Sequence, residues 1–169
     1  MSQVIVAKSA GFCFGVRRAV ELAEQEAARN QVIYSYGEII HNTHEIKRLE
    51  ALGVFTAERI EDIPDGSAVL IRAHGVAKAV YEAFEKKGCK IYDATCIFVS
   101  RIHRYVEEES AAGRRIIILG SRNHPEVLGI AGWCENALVY ETSEQLLEEL
   151  DASGLAPDTP VSVVGQTTL

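Results

Sequence analysis

The chain has 169 residues, 47% of them hydrophobic, enough to bury one substantial core or two small ones. Seventeen basic against 24 acidic residues leave a net charge of −7, which argues against broad nucleic-acid binding because that needs a basic surface to displace counterions from phosphates. No apolar run approaches a membrane span, no signal-peptide pattern opens the chain, and the four cysteines read as metal or redox chemistry in a reducing, cytoplasmic compartment rather than as disulfides.

In chain order, short apolar runs alternate with amphipathic stretches. The first strand is expected over Val4–Ala7, followed by Gly11-Phe12-Cys13-Phe14-Gly15 and a helix over Val16–Ala28. A strand over Val32–Tyr36 leads to a helix over Thr43–Leu52. The turn Pro64-Asp65-Gly66 precedes a strand over Ala68–Arg72, with a helix over Lys78–Lys87. After Gly88 come a strand over Lys90–Tyr92 and a long helix over Phe98–Ala112. Strands over Arg115–Leu119, Ala137–Tyr140 and Val161–Val164 are separated by helices over Pro125–Ala131 and Ser143–Leu150, with Gly113 and Gly154 as helix-ending glycines. Such alternation predicts an α/β fold of mainly parallel sheet flanked by helices. The clusters Glu107-Glu108-Glu109 and Glu141 to Asp151 read as solvated helix faces. A boundary near Cys96 divides the pattern into a leading strand (1–12), a first unit (13–96) and a second (97–169).

The chemistry-bearing residues each follow a strand candidate. Cys13 follows the first, His41-Asn42-Thr43-His44 the second, His74 the third and Cys96 the fourth. Ser121-Arg122-Asn123-His124-Pro125-Glu126 follows the fifth, and Gln166-Thr167-Thr168 the last. In parallel sheets all of these fall on carboxyl edges, where such folds bind ligands. A thiol at a helix N-terminus, as expected for Cys13 and Cys96, is favoured as thiolate by backbone N–H groups and the helix dipole. Neither belongs to a CxxC pair, so ligands recruited one per loop fit better than a zinc ribbon. Cys89 and Cys134 read as small buried hydrophobes, and His103 as an ordinary surface or packing residue within a helix. His44 lies near a helix start, where it caps or solvates that end. Pro125 suits the first helical position, which makes His124 the cap and puts Glu126 in the first turn, either as a simple dipole partner or as a proton donor. Histidines, hydroxyls and helix-start amides together suit a phosphate or diphosphate. There is no GxxxxGK[ST] loop and no GxGxxG after the first strand.

As a set, Ala10-Gly11-Phe12-Cys13-Phe14-Gly15-Val16, His41-Asn42, Ala73-His74-Gly75-Val76, Asp93-Ala94-Thr95-Cys96, His124-Pro125-Glu126-Val127 and Gln166-Thr167-Thr168 closely resemble the 4-hydroxy-3-methylbut-2-enyl diphosphate reductases, over the whole chain and in order. That family removes a hydroxyl reductively from an allylic diphosphate, giving isopentenyl and dimethylallyl diphosphates at the end of the methylerythritol phosphate route to isoprenoids. Its fold is three similar α/β domains around a central iron–sulfur cluster. The resemblance implies that Cys13 and Cys96 are two of three thiolate ligands of a [4Fe-4S] cluster whose remaining iron is open to the substrate hydroxyl. It implies that His41, His74, His124, Thr167 and Thr168 bind or flank the substrate and that Glu126 supplies the proton lost with water. Ferredoxin or flavodoxin would deliver electrons. The family's usual proline after Asp-Ala-Thr-Cys is Ile97 here. The family pattern continues beyond Gln-Thr-Thr into a third domain with the third cysteine. The chain is therefore expected to hold two three-layer domains of such a reductase, to be truncated and inactive alone, and to self-associate through the face the third domain would cover.

Two other readings stand beside this one. One is a non-catalytic diphosphate-binding or scaffold module that keeps the sheets. The other is a thiol-redox protein using Cys13 and Cys96, which requires their Cα atoms to lie within about 7 Å.

Overall fold

The computed structural model describes residues 4–8, 10–30, 32–149, 155–156 and 158–168. Among these, the elements in order are α1 (Phe14–Arg29), β1 (Ile33–Tyr36), α2 (Thr43–Glu50), β2 (Val54–Ala57), β3 (Ala68–Ile71), α3 (Lys78–Lys86), β4 (Lys90–Asp93), α4 (Ile97–Ala111), β5 (Arg115–Leu119), α5 (Pro125–Ala131), β6 (Leu138–Tyr140), α6 (Ser143–Glu149) and β7 (Val161–Gly165). A 3-10 turn over Ile60–Asp62 precedes β3. No helix among the described residues is long and apolar enough to cross a membrane.

The strands form two wholly parallel sheets, ordered β2-β1-β3-β4 and β6-β5-β7. Parallel strands need helical crossovers, and crossovers cover the faces, so the strands carry apolar side chains on both sides. In β3 the alternation is visible: Leu70 joins Ala19, Val20 and Ala23 of α1 and Leu49 of α2 on one face. Val69 and Ile71 point the other way, to Phe84 of α3 and to Ile63. The first sheet is therefore the middle of three layers. In the second sheet, Ile116 and Ile118 of β5 pack with Val106 of α4 and with Val127 and Ile130 of α5. Each of these buried aliphatic side chains contributes on the order of 1.5–3 kcal/mol.

Small residues let the units meet closely. Gly129 of α5 lies against the backbone of Gly75, where a β-carbon would come within 3.4 Å of the Gly75 carbonyl, and Gly132 lies against Ala77. The Trp133 indole N–H donates to the Val76 carbonyl at 2.8 Å, and its ring stacks on His103 with centroids 5.1 Å apart. These contacts bring the loop after β3 to the start of α5.

Two expectations are corrected. Val4–Ala7 is not a strand: Val4, Ile5 and Val6 are 86%, 82% and 76% exposed and pair with no strand among the described residues. An apolar run becomes a strand only where another backbone accepts its N–H and C=O groups. Cys13 accordingly follows no strand and owes its position to α1 alone. Conversely, Val54–Ala57 forms β2, an edge strand paired along its length with β1. The remaining strands and helices lie within a residue or two of their expected limits, with Leu150 and Gly154 outside the described residues.

Candidate functional site

Loops leaving the carboxyl ends of β1, β3, β4, β5 and β7 converge with the start of α1. Cys13 caps α1 and Cys96 caps α4, both with non-helical backbone and neither spending its side chain on a cap hydrogen bond. The thiols are therefore left for other partners, next to the unpaired N–H groups of a helix start. Cys13 is exposed and Cys96 half-buried, and all four cysteines are free. Cys96 is fixed by its N–H, which donates to the Ala73 carbonyl at 2.9 Å. Its sulfur lies over Gly15, where a β-carbon would stand 2.7 Å from Sγ, so glycine at 15 makes room for the thiol. Ile97 in place of the resembled family's proline leaves Cys96 at the cap of α4.

Cys89 and Cys134 lie elsewhere. Cys89 packs beside the first unit's core, with Sγ 3.8 Å from the Pro64 carbonyl. Cys134 packs in the second unit's core, where burial pushes its thiol pKa up. Both are half-buried rather than fully enclosed.

The three expected histidines come together from three loops. Ring centroids are 4.7 Å apart for His41 and His74, 5.4 Å for His74 and His124, and 6.1 Å for His41 and His124. One ring nitrogen from each lies within 4.8 Å of the others. His41 is exposed, with Nδ1 3.3 Å from the Glu38 carboxylate. A carboxylate only accepts, so this nitrogen carries the proton. His124 caps α5: its Nδ1 accepts the Glu126 backbone N–H at 3.1 Å, which in the neutral ring puts the proton on Nε2. Burial, opposed by Glu126 and aided by His41 and Arg72, lowers the His124 pKa. His74 is half-buried and its Nδ1 is enclosed without a hydrogen-bond partner. Burial first, then His41, His124 and Arg72, hold its pKa at about 4, so the ring is neutral at physiological pH.

Glu126 is completely buried. A carboxyl group in such a place is tolerated only when hydrogen-bonded. Its Oε1 accepts the Thr167 backbone N–H at 2.6 Å and its Oε2 accepts the Thr168 hydroxyl at 3.3 Å. The Gln166 side chain donates to the Thr168 hydroxyl at 2.8 Å and accepts the Ser121 N–H at 3.1 Å, so the start of α5 is tied to the end of β7.

A cavity of about 500 Å³ has Cys13, Gly15, Cys96, His74, Glu126, Thr167 and Thr168 in its wall, with Phe14, Val16 and Phe98 supplying apolar surface. A smaller one of about 270 Å³ adjoins it through Ala73, His74 and Val16, and reaches His41 and Asn42. Seven of the eight expected site residues thus line these two cavities, and His124 joins them through its ring contact with His74. His44 is exposed in the first turn of α2 and outside the triad, whereas Asn42 caps that helix by accepting the Glu45 N–H at 3.1 Å. Of the surface and packing readings of His103, the structure supports packing: it is buried against Trp133, and burial holds its pKa at about 4.

Sequence reasoning missed Arg72. Its guanidinium, with Nε enclosed and unpartnered, packs over Gly37 and places positive charge near His74 and His124. Its signal was its position at the end of an apolar run two residues before a candidate histidine. Gln166 was noted only as part of a hydroxyl motif, yet it braces the segment that holds Glu126.

A profile described as LytB protein matches residues 4–169. A protein of Caldanaerobacter subterraneus subsp. tengcongensis named 4-hydroxy-3-methylbut-2-enyl diphosphate reductase is 41% identical over 99% of this chain and 58% of its own length. One of the same name from Clostridioides difficile is 44% identical over 83% of this chain and 51% of its own. Among solved structures, the E-1-hydroxy-2-methyl-but-2-enyl-4-diphosphate reductase of Plasmodium falciparum superposes with a TM-score of 0.87 at 30% identity, over 96% of this chain and 50% of that one. The chain spans about half the length of these relatives.

Proposed function

The chain belongs to the LytB protein family, and from that premise we propose that it carries the substrate and proton-handling half of a 4-hydroxy-3-methylbut-2-enyl diphosphate reductase, which converts this allylic diphosphate to isopentenyl and dimethylallyl diphosphates. The observation that carries the reading is the single cavity with two cap cysteines, a neutral histidine and a buried, hydrogen-bonded carboxyl group in its wall. The division into units 13–96 and 97–169 belongs to the same reading, supported by the confinement of one sheet to residues 33–93 and the other to 115–165.

The donor set suits part of an iron–sulfur centre. Cys13 and Cys96 have free thiols at helix starts on one cavity, and no other cysteine lies in that wall. They would supply two of the three thiolates that the resembled family uses. A [4Fe-4S] cluster bound there supplies electrons one at a time, drawn from ferredoxin or flavodoxin. The chain's own residues do the rest. His124 presents its Nε2 proton to a diphosphate oxygen, and His74 offers a ring donor from a site where burial keeps it uncharged. His41 adds a ring donor from the exposed side of the cavity. Glu126 delivers the proton that lets the substrate hydroxyl leave as water, and the Thr167 N–H and Thr168 hydroxyl hold its two oxygens in place. Once the exposed face they form is covered, the apolar side chains of Phe14, Val16 and Phe98 would keep water from competing for that proton. The reaction would take place in the cytoplasm, and an exposed apolar face that includes Phe14, Ile97 and Phe98 would be covered by the rest of the enzyme or by self-association.

Two measurements test the reading. Calorimetric titration of the metal-free chain with inorganic diphosphate should show binding that is lost in His124→Ala. Anaerobic iron and sulfide reconstitution followed by electron paramagnetic resonance should give a cluster signal only while Cys13 and Cys96 are present, without appreciable turnover by this chain alone. Diphosphate binding with no cluster under any condition would favour the binding-module reading. Absence of both would overturn the proposal.

A further inference from the structure

The three rings that face a proposed anion have a second capability. Each contributes a nitrogen to a cluster with all separations within 4.8 Å, from three loops set on separate strands. A tetrahedral ion with Zn–N bonds near 2.0–2.1 Å needs its ligands roughly 3.3 Å apart, so an inward movement of about 1.5 Å would complete the set. His41 is exposed on a loop and free to make that movement. Behind it stands Glu38, whose carboxylate takes the Nδ1 proton at 3.3 Å and leaves the Nε2 lone pair outward. A carboxylate behind a histidine, fixing its tautomer and raising its basicity, is the usual outer support of a zinc-bound imidazole. His74 has an enclosed ring nitrogen that nothing in the protein satisfies.

We propose that His41, His74 and His124 form a transition-metal site that takes Zn²⁺ through three imidazoles and a water, and that the ion and a diphosphate compete there for the same ring nitrogens. The metal site stands on the geometry above; the exclusion also rests on the diphosphate reading. Imidazole ligands select zinc and its neighbours over magnesium or calcium, which prefer oxygen. Arg72 nearby works against a divalent cation, while Glu38 beside His41 and Glu126 beside His124 work for it. His124 is the costly ligand. Its Nδ1 caps α5, so coordination either takes that nitrogen or requires it to carry a proton, and in both cases the Glu126 N–H loses its acceptor. Metal binding would thereby loosen the first turn of the helix that carries Glu126. Zinc would occupy the nitrogens an anion needs and disturb the residue assigned to proton delivery.

Cobalt(II) serves as the probe, titrated into the full chain bearing Cys13→Ser and Cys96→Ser. One equivalent should bind with visible absorption of a tetrahedral site, without the intense near-ultraviolet band of thiolate ligation, and zinc should displace it. Affinity should fall about tenfold or more in Glu38→Gln and further in His41→Ala, two exposed changes that leave the circular dichroism spectrum intact. The Glu126 amide should show faster hydrogen exchange in the zinc-loaded chain. Inorganic phosphate, a weak chelator, should raise the apparent cobalt dissociation constant. No cobalt uptake, a thiolate band, or affinity unchanged in His41→Ala would overturn the site. Cobalt uptake indifferent to phosphate, or strengthened by it, would overturn the exclusion. Diphosphate binding by the metal-free chain is measured separately, so its failure would remove the substrate reading and leave the metal site standing.

Discussion

On the wall built by the second sheet, the polar groups around Glu126 are engaged with one another. Glu126 is held by Thr167 and Thr168, Thr168 by Gln166, Gln166 by Ser121, and the Glu126 N–H by His124. On the wall built by the first sheet, His41 is exposed, the His74 and Arg72 nitrogens are enclosed without partners, and Cys13 projects a free thiol. One wall is closed upon itself and the other is left open. A group that must keep one position while it moves a proton gains from a closed network. Groups that must accept a ligand need unspent valence, and an enclosed nitrogen without a partner costs stability until something binds it. The difference separates residues that belong to the fold from residues that belong to the ligand.

That contrast can be broken by mutation, and the largest effect should come from the closed wall. Glu126→Ala strands the Thr167 N–H in a buried site and leaves a hole; it should lower stability in chemical denaturation by about 3 kcal/mol. Glu126→Gln, which keeps an acceptor, should recover part of this. His41→Ala on the open wall should stay within about 0.5 kcal/mol. A loss of similar size in both would abolish the distinction.

Next comes the seam between the walls. Gly75 has φ of 69°, and a β-carbon there would meet His103 at 2.5 Å and Thr95 at 3.0 Å. Gly75→Ala should therefore cost about 2 kcal/mol and displace His74. A smaller effect falls on His124, which serves both walls. His124→Ala should remove about 1 kcal/mol with the helix cap, and His124→Asn should restore that stability while diphosphate affinity stays low.

Near neutrality the smallest effect is carried by protons. His74 and His103 have folded pKa values of about 4, below the usual 6.5 of a histidine. Between those values the unfolded chain binds protons that the folded chain refuses, so stability should be full above pH 6.5, fall as the pH drops, and level off below about 4. A conservative replacement of His103, such as His103→Gln, should flatten it by about one proton.

Much of this was legible in the sequence, because parallel strands and their helices leave strong periodic signals and because chemistry gathers at strand ends. The cap role of His124 followed from Pro125 alone. What escaped was whatever depends on a partner far away in sequence. Val4–Ala7 carries a strand's composition but finds no backbone to pair with, whereas Val54–Ala57 carries a weak signal and becomes a strand because β1 offers it an edge. The clasp on Glu126 was only half visible, since one of its two donors is a backbone N–H that no side-chain pattern announces. Arg72 was hidden for a related reason: a charge at the end of a strand reads as a boundary until the fold turns it over Gly37.

Trp133 is the only tryptophan in the chain. Its indole N–H is held by Val76 from the first unit while its face lies on His103 of α4, at an interplanar angle of 18°. Protonated imidazole quenches indole emission and neutral imidazole hardly does. The molecule thus carries a built-in optical gauge at its seam, whose brightness reports the charge on His103 and whose colour reports water entering between the two halves.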